Sequence, residues 1–160
     1  MSLFKHSDCQ DFRGLNIGCG NSRIEDYLNV DNGNCAKDMY CDITQELPFC
    51  SKLFDAVVAV HVLEHIPRDK FFDVFREIHR VMKVGGLLEF CVPKAGSDNY
   101  FTDPTHTMPF TVRTMDFLIE GKQLRENGEI YGADFCFKEL EAPVIDEVET
   151  IYFKLTKEEN

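Results

Sequence analysis

Leu15-Asn16-Ile17-Gly18-Cys19-Gly20-Asn21, followed by Tyr27-Leu28-Asn29-Val30-Asp31, is the stretch that decides the fold. A short apolar strand runs into a glycine turn, and a second strand ends on an acid. Glycine lets the main chain approach a ligand with no Cβ in the way. An acid at the end of the next strand can accept both hydroxyls of a ribose. The pair predicts a nucleoside cofactor lying on the carboxyl edge of a parallel sheet.

Working outward, the strongest periodic segment is residues 69–83, where Phe71, Val74, Phe75, Ile78, Val81 and Met82 share one helical face. Gly85 and Gly86 follow as the expected helix stop. Phe54–Val60 before it and Leu87–Val92 after it are apolar runs broken only by Asp55 and Glu89, and read as strands covered on both faces. Strand, helix, strand makes a βαβ unit with a right-handed crossover. Further strands are predicted at Gly14–Ile17, Tyr27–Val30 and Met39–Cys41, and a second helix over Thr111–Glu120 with Gly121 as its stop. Asp134–Leu140 and Glu147–Leu155 read as two antiparallel strands around Ala142-Pro143. The expectation is one α/β domain over residues 1–160, a Rossmann-like, doubly wound, mostly parallel seven-stranded sheet with an antiparallel C-terminal hairpin. Only about ten residues separate the glycine turn from the second strand, whereas a parallel crossover usually takes a dozen or more. One sheet face is therefore expected to be thinly covered, and a homodimer would cover it.

The 160 residues are 44% apolar, enough for one compact core, and carry a formal charge of −11. That charge repels phosphate backbones and argues against a nucleic-acid partner. Arg76, Arg80 and Lys83 lie on one helix but are interrupted by Glu77. Membrane association is not expected: Ala56–Val60 is the longest fully apolar run, and Met1–Phe12 is polar and mixed in charge. The cysteines at 9, 19, 35, 41, 50, 91 and 136 contain no Cys-x-x-Cys pair, so they read as reduced thiols of a cytoplasmic protein. His6 and Cys9 have a metal-compatible spacing but sit in an N-terminus expected to be floppy. No metal site is assigned.

At this point the motifs resemble those of the class I S-adenosylmethionine-dependent methyltransferases, in that family's order, from about Leu15 to Phe117. Leu15–Asn21 is similar to the glycine-rich first motif, and Asp31 falls at the ribose-binding acid. Cys41-Asp42-Ile43 falls where an acid and the next amide hold the adenine. Leu47-Pro48-Phe49 and Phe54–Val58 resemble the lead into the fourth strand, His61-Val62-Leu63-Glu64-His65-Ile66 the segment after it, and Met82–Leu88 the turn into the fifth. The resemblance implies a seven-stranded sheet whose last strand but one in space is antiparallel to the rest. It implies S-adenosylmethionine as cofactor, held by Asn16, Gly18, Cys19, Gly20, Asp31, Asp42, Ile43, Val60 and His61. Two departures stand out. Asn21 and Ser22 replace the third glycine, and Asn16 occupies a position where many relatives carry an acid.

Methyl transfer from a sulfonium needs alignment, dry surroundings and, for some acceptors, a base. The long loop from Pro93 to Thr111 carries Asp103-Pro104-Thr105-His106, similar to a string in some small relatives. His106 and His61 are the candidate catalytic bases, because histidine titrates near neutrality. A metal ligand set from His61, Asp103 and His106 is an alternative not adopted. Glu64 and His65 are read as shaping the helix entrance, and Asp42 alternatively caps a turn beginning at Thr44. Tyr100, Phe101 and Phe110 line an acceptor pocket or pack as core.

The leading expectation is methyl transfer to a small-molecule acceptor such as a sugar or metabolite hydroxyl. The alternative is a non-catalytic binding or regulatory subunit on the same fold. A nicotinamide-dependent oxidoreductase fits worst, since Arg23 stands where the last glycine of Gly-x-Gly-x-x-Gly would be.

Overall fold

The structure, a computed structural model, describes residues 12–119, 125–126, 129–130 and 135–158. Its elements are β1 (Gly14–Ile17), β2 (Tyr27–Asp31), β3 (Met39–Tyr40), β4 (Phe54–Val60), α1 (Phe71–Val81), β5 (Met82–Pro93), α2 (Asp98–Thr102), β6 (Arg125–Glu126), β7 (Glu129–Ile130), β8 (Phe137–Ile145) and β9 (Thr150–Lys157). Seven strands form one sheet in the order β3-β2-β1-β4-β5-β9-β8, and β6 pairs with β7 apart from it. β1 to β5 are parallel, while β9 runs antiparallel to both β5 and β8. The strand last but one in space is thus the reversed one, as expected.

Alternation along the strands sorts side chains between two faces. On one face Val57, Ala59, Leu88, Phe90, Val92, Ile151, Phe153 and Leu155 are buried. They belong to the same core as Phe71, Val74, Phe75, Ile78 and Val81, the apolar stripe of α1. Phe90 anchors this layer, with its ring centroid 4.7 Å from stacked Phe153 and 5.8 Å from Phe75.

The other face is open. Val60, Val144 and Tyr152 are exposed, and a groove of about 290 Å³ there is lined by residues of β4, β5, β8 and β9 alone. Lys154 crosses it, 3.6 Å from Glu89 and 3.0 Å from Glu141. The expected thin face exists. Among the described residues no helix covers this side, so the second helical layer of a doubly wound sheet is not seen in them. Residues 18–26 between β1 and β2 make only turns, because so short a connection cannot hold a crossover helix.

Three boundary expectations are corrected. The helix spans Phe71–Val81 after a 3-10 turn at Arg68–Lys70, and Met82 is already extended at its C-terminus. Gly85 and Gly86 therefore lie inside β5, at the shift in its pairing with β4, and do not stop the helix. Within the predicted Thr111–Glu120 helix only a 3-10 turn, Thr114–Phe117, forms. The Thr114 hydroxyl accepts from the Thr111 amide, which a helix would leave free, so this bond favours the start of the turn, which does not extend past Phe117. Glu120 and Gly121, like His6, Cys9 and Asp134, lie outside the described residues.

The C-terminal hairpin turns not at Ala142-Pro143 but at Asp146–Glu149, where Asp146 Oδ1 accepts from the amides of Val148 and Thr150. Pro143 sits within β8. Proline is tolerated there because β8 is an edge strand whose pairing is irregular between Glu141 and Val144. In the predicted Met39–Cys41 strand, only Met39–Tyr40 pairs.

Candidate functional site

The strand order reverses between β1 and β4, so a crevice opens beyond their carboxyl ends, the usual place for ligands in such sheets. Gly18 and Gly20 flank it, both in the left-handed region, with φ of 63° and 49°. A Cβ on Gly18 would lie 2.2 Å from Val62 Cγ2, whereas one on Gly20 would meet nothing within 4 Å. Gly18 thus lets the chain after β4 close onto the turn, and Gly20 faces free space.

Asp31 closes the turn from the end of β2. Its Oδ2 accepts from the Gly20 amide at 2.9 Å, and its Oδ1 from the Gly33 amide at 2.6 Å. Burial pushes this carboxyl up, but the two amides, the Cys35 thiol and Lys37 outweigh it and hold the group below the usual range. Asp31 is therefore ionised at neutral pH, as a ribose acceptor needs.

Cys19 is buried, and its amide donates to the Val30 carbonyl at 3.1 Å. Burial, with Cys35 and Asp31 nearby, pushes its thiol up to about 11, so it stays neutral. Asn16 is buried in β1, with Nδ2 donating to the Ser22 carbonyl and Asn29 Oδ1. That amide tethers the turn. Asp42 Oδ1 accepts from both the amide and hydroxyl of Thr44, so the capping geometry anticipated for it is present. Ile43 packs against the core.

Across the crevice, β4 ends at exposed Val60, and His61 follows with φ of 53°. A non-glycine residue is rare in that region, and such strain concentrates at functional sites. The His61 amide donates to the Cys91 carbonyl, and Nδ1 lies 3.2 Å from Glu64 Oε1. Glu64 is fully buried and raises the His61 pKa above its ordinary value, chiefly through this hydrogen bond.

His106 arrives from the loop after β5. Its Nδ1 pairs with the Tyr100 carbonyl at 2.8 Å, and Nε2 lies 3.9 Å from Glu64 Oε1 and 3.8 Å from Asp103 Oδ2. The amides of Thr107 and Met108 both donate to the Glu64 carbonyl, and the Thr107 hydroxyl donates to that of Ile66. The loop is thereby stapled to the segment after β4.

His61 and His106 thus converge on one carboxylate. Glu64, at the hub, and His65, whose ring centroid is 4.7 Å from that of His106, were read from sequence only as a helix entrance. The available signal was the His61-x-x-Glu64 spacing, which a 3-10 turn at Leu63–His65 folds back on itself. Among the aromatics, Phe110 is core, Tyr100 is buried beside His106, and Phe101 is exposed.

Residues 30–90 match the family model described as a methyltransferase domain. A comparison with curated sequences finds no match. Among solved structures, an S-adenosylmethionine-dependent methyltransferase of Archaeoglobus fulgidus is 17% identical with a TM-score of 0.63, covering 91% of this chain and 86% of its own. One from Thermotoga maritima is 16% identical with a TM-score of 0.62, covering 97% and 90%. The YcgJ protein of Bacillus subtilis is 14% identical with a TM-score of 0.60, covering 99% and 94%. The chain thus matches a methyltransferase-domain model over residues 30–90 and shares its fold with solved S-adenosylmethionine-dependent methyltransferases.

Proposed function

We propose that the protein transfers a methyl group from S-adenosylmethionine to a small-molecule acceptor, a hydroxyl of a sugar or metabolite. The observation that carries this reading is the ionised Asp31 carboxylate bonded to the Gly20 amide beside free space at the switch point. The residues present fit the cofactor. Asp31 keeps lone pairs for the ribose hydroxyls. The main chain at Gly18, Cys19 and Gly20 passes the homocysteine part, with Asn16 fixing the turn and Val60 and His61 bordering the methionine end. Asp42 and Ile43 serve the adenine. The cofactor supplies an activated methyl on a good neutral leaving group.

The chain's own task is to align the acceptor and remove its proton. Of the two candidate bases, His61 is the better placed. Its side chain is half-exposed, whereas His106 is nearly buried, and buried Glu64 orients it as a carboxylate orients a general base. The acidic surface favours an uncharged or cationic acceptor over nucleic acid.

Thermal melts with S-adenosylhomocysteine test the cofactor. A ligand of the folded state at a hundredfold excess over Kd stabilises by about 2.7 kcal/mol. The shift is expected in the wild type and should vanish in Asp31→Ala. A shift with NAD alone would overturn the assignment. His61→Ala should keep the shift and lower kcat by about 100-fold or more on an acceptor panel.

A second reading, a binding or regulatory subunit, draws on the open sheet face and its exposed Val60, Val144 and Tyr152. Cofactor binding without turnover on any acceptor would favour it. The homodimer is a proposal on the same face, and light scattering that returns a monomer at high concentration removes it. No helix among the described residues is long and apolar enough to cross a membrane. A cytoplasmic location stays a proposal from the cysteine usage.

A further inference from the structure

We infer that Glu64, His65 and His106 form a binding site for a divalent transition metal of the zinc class, with a coordination position left open. One ligand atom from each of the three side chains lies within 4.8 Å of the others. Ligand atoms about 2.0–2.1 Å from a tetrahedral zinc ion lie about 3.4 Å apart. The 3.9 Å from His106 Nε2 to Glu64 Oε1 needs little contraction to reach that.

The protons point the same way. The Tyr100 carbonyl can only accept, so His106 Nδ1 carries a proton, and in the neutral ring Nε2 keeps its lone pair. The Thr105 hydroxyl donates to Asp103 Oδ1 at 2.6 Å, so its oxygen accepts from His65 Nδ1–H, and His65 Nε2 is likewise bare. The lone pair of His106 Nε2 thus faces the Glu64 carboxylate, acceptor against acceptor, and His65 completes the cluster. Glu64 is fully buried, and its Oε2 has no hydrogen-bond partner. An orphaned buried carboxylate oxygen is costly. Oε1 already accepts from His61 Nδ1, so a proton on His106 would add to Oε1 and leave Oε2 unmatched, whereas a cation held by both carboxylate oxygens would serve the whole cluster.

The surroundings match those of metal sites. Each imidazole has its second nitrogen fixed, one by a carbonyl and one by a hydroxyl backed by a carboxylate, which sets tautomer and ring direction. His65 is exposed and gives the ion a way in. Two imidazoles and one carboxylate suit zinc, cobalt, manganese or iron, whereas magnesium and calcium prefer oxygen alone. Three protein ligands leave a fourth position for water or an acceptor oxygen. Ligation would take His106 out of proton transfer and leave His61 as the base. Metal binding is read without cofactor or acceptor, so this inference and the methyl-transfer proposal can fail separately.

Titration of the full chain with Zn2+ by calorimetry, and with Co2+ by visible absorption, tests the site. The expected result is one ion per chain, a Co2+ spectrum of nitrogen and oxygen ligation, and a raised Tm. His65→Ala, at an exposed position that should not disturb folding, should weaken binding by about 100-fold or more, since even outer-shell partners cost 10–100-fold. Glu64→Gln should do the same, and Thr105→Val should weaken it by about 10-fold. No binding would overturn the inference. So would binding that survives His65→Ala, or a Co2+–thiolate charge-transfer band, which would place the ion at Cys19, Asp31 and Cys35 instead.

Discussion

The two sides of the crevice are built differently. The glycine side is local: Gly18, Gly20, Asp31 and Gly33 lie within sixteen positions, and its bonds run from one turn to the end of the next strand. The histidine side joins residues 61–66 to residues 100–108, and its centre is a buried carboxylate rather than a main-chain turn. Val62 is the joint, since it fills the space that a Cβ on Gly18 would need. A cofactor cradle can be written into a short run of backbone geometry. A reactive centre needs side chains from separate segments, held by a loop that tertiary bonds fix in place.

Four substitutions would break or sharpen this contrast. The largest effect is expected at the joint. Gly18→Ala combines left-handed backbone strain with overpacking against Val62 and should cost about 3 kcal/mol in denaturant unfolding. Adding Val62→Ala should recover part of that cost. If it recovers nothing, the two sides do not meet through this contact.

Next is Asp31→Asn. It should remove most of the roughly 2.7 kcal/mol stabilisation by S-adenosylhomocysteine at a hundredfold excess over Kd. It should also flatten the acid limb of stability. Asp31 has a lowered folded pKa, so its contribution is fully present above the unfolded carboxylate pKa and is lost as pH falls through the folded value. Melts from neutral pH down to about pH 3, through the unfolded carboxylate pKa near 3.9, would show the variant losing less stability than the wild type.

Gly20→Ala should be milder, about 1–2 kcal/mol of strain alone, because the new methyl meets open space. It should nonetheless weaken ligand binding, because that space is where the cofactor is proposed to lie. Smallest is Thr107→Val, which loses one hydrogen bond to the Ile66 carbonyl at about 1 kcal/mol. Hydrogen exchange should quicken at the Thr107 and Met108 amides and stay unchanged at Gly20. The Gly20→Ala and Thr107→Val costs should add within about 0.5 kcal/mol if the two sides are independent.

The same division governs what was legible in the sequence. Apolar runs and the 3.6-residue stripe of α1 located most of the sheet and the core helix, because burial on a periodic element leaves a periodic trace. The trace failed where the apolar pattern was short or edge position decided the outcome. The chain after Thr111 formed only a single 3-10 turn, and Pro143 fitted inside β8 because an edge strand can do without its amide. Asp31 could be read as an acceptor because its partners are near in sequence. Glu64 could not be read as a hub, because His106 and the Thr107 and Met108 amides that meet it come from more than forty positions away.

By itself the sequence determined the order of the strands along the chain, the glycine turn, the acid at its side and one thinly covered face. These follow from residue type and spacing alone. Only the tertiary structure decided that His61, His65 and His106 surround one buried carboxylate, and that the open part of the far face lies over β4, β5, β9 and β8. Those depend on which segments the sheet order brings together, and no local pattern encodes a contact between residues forty positions apart.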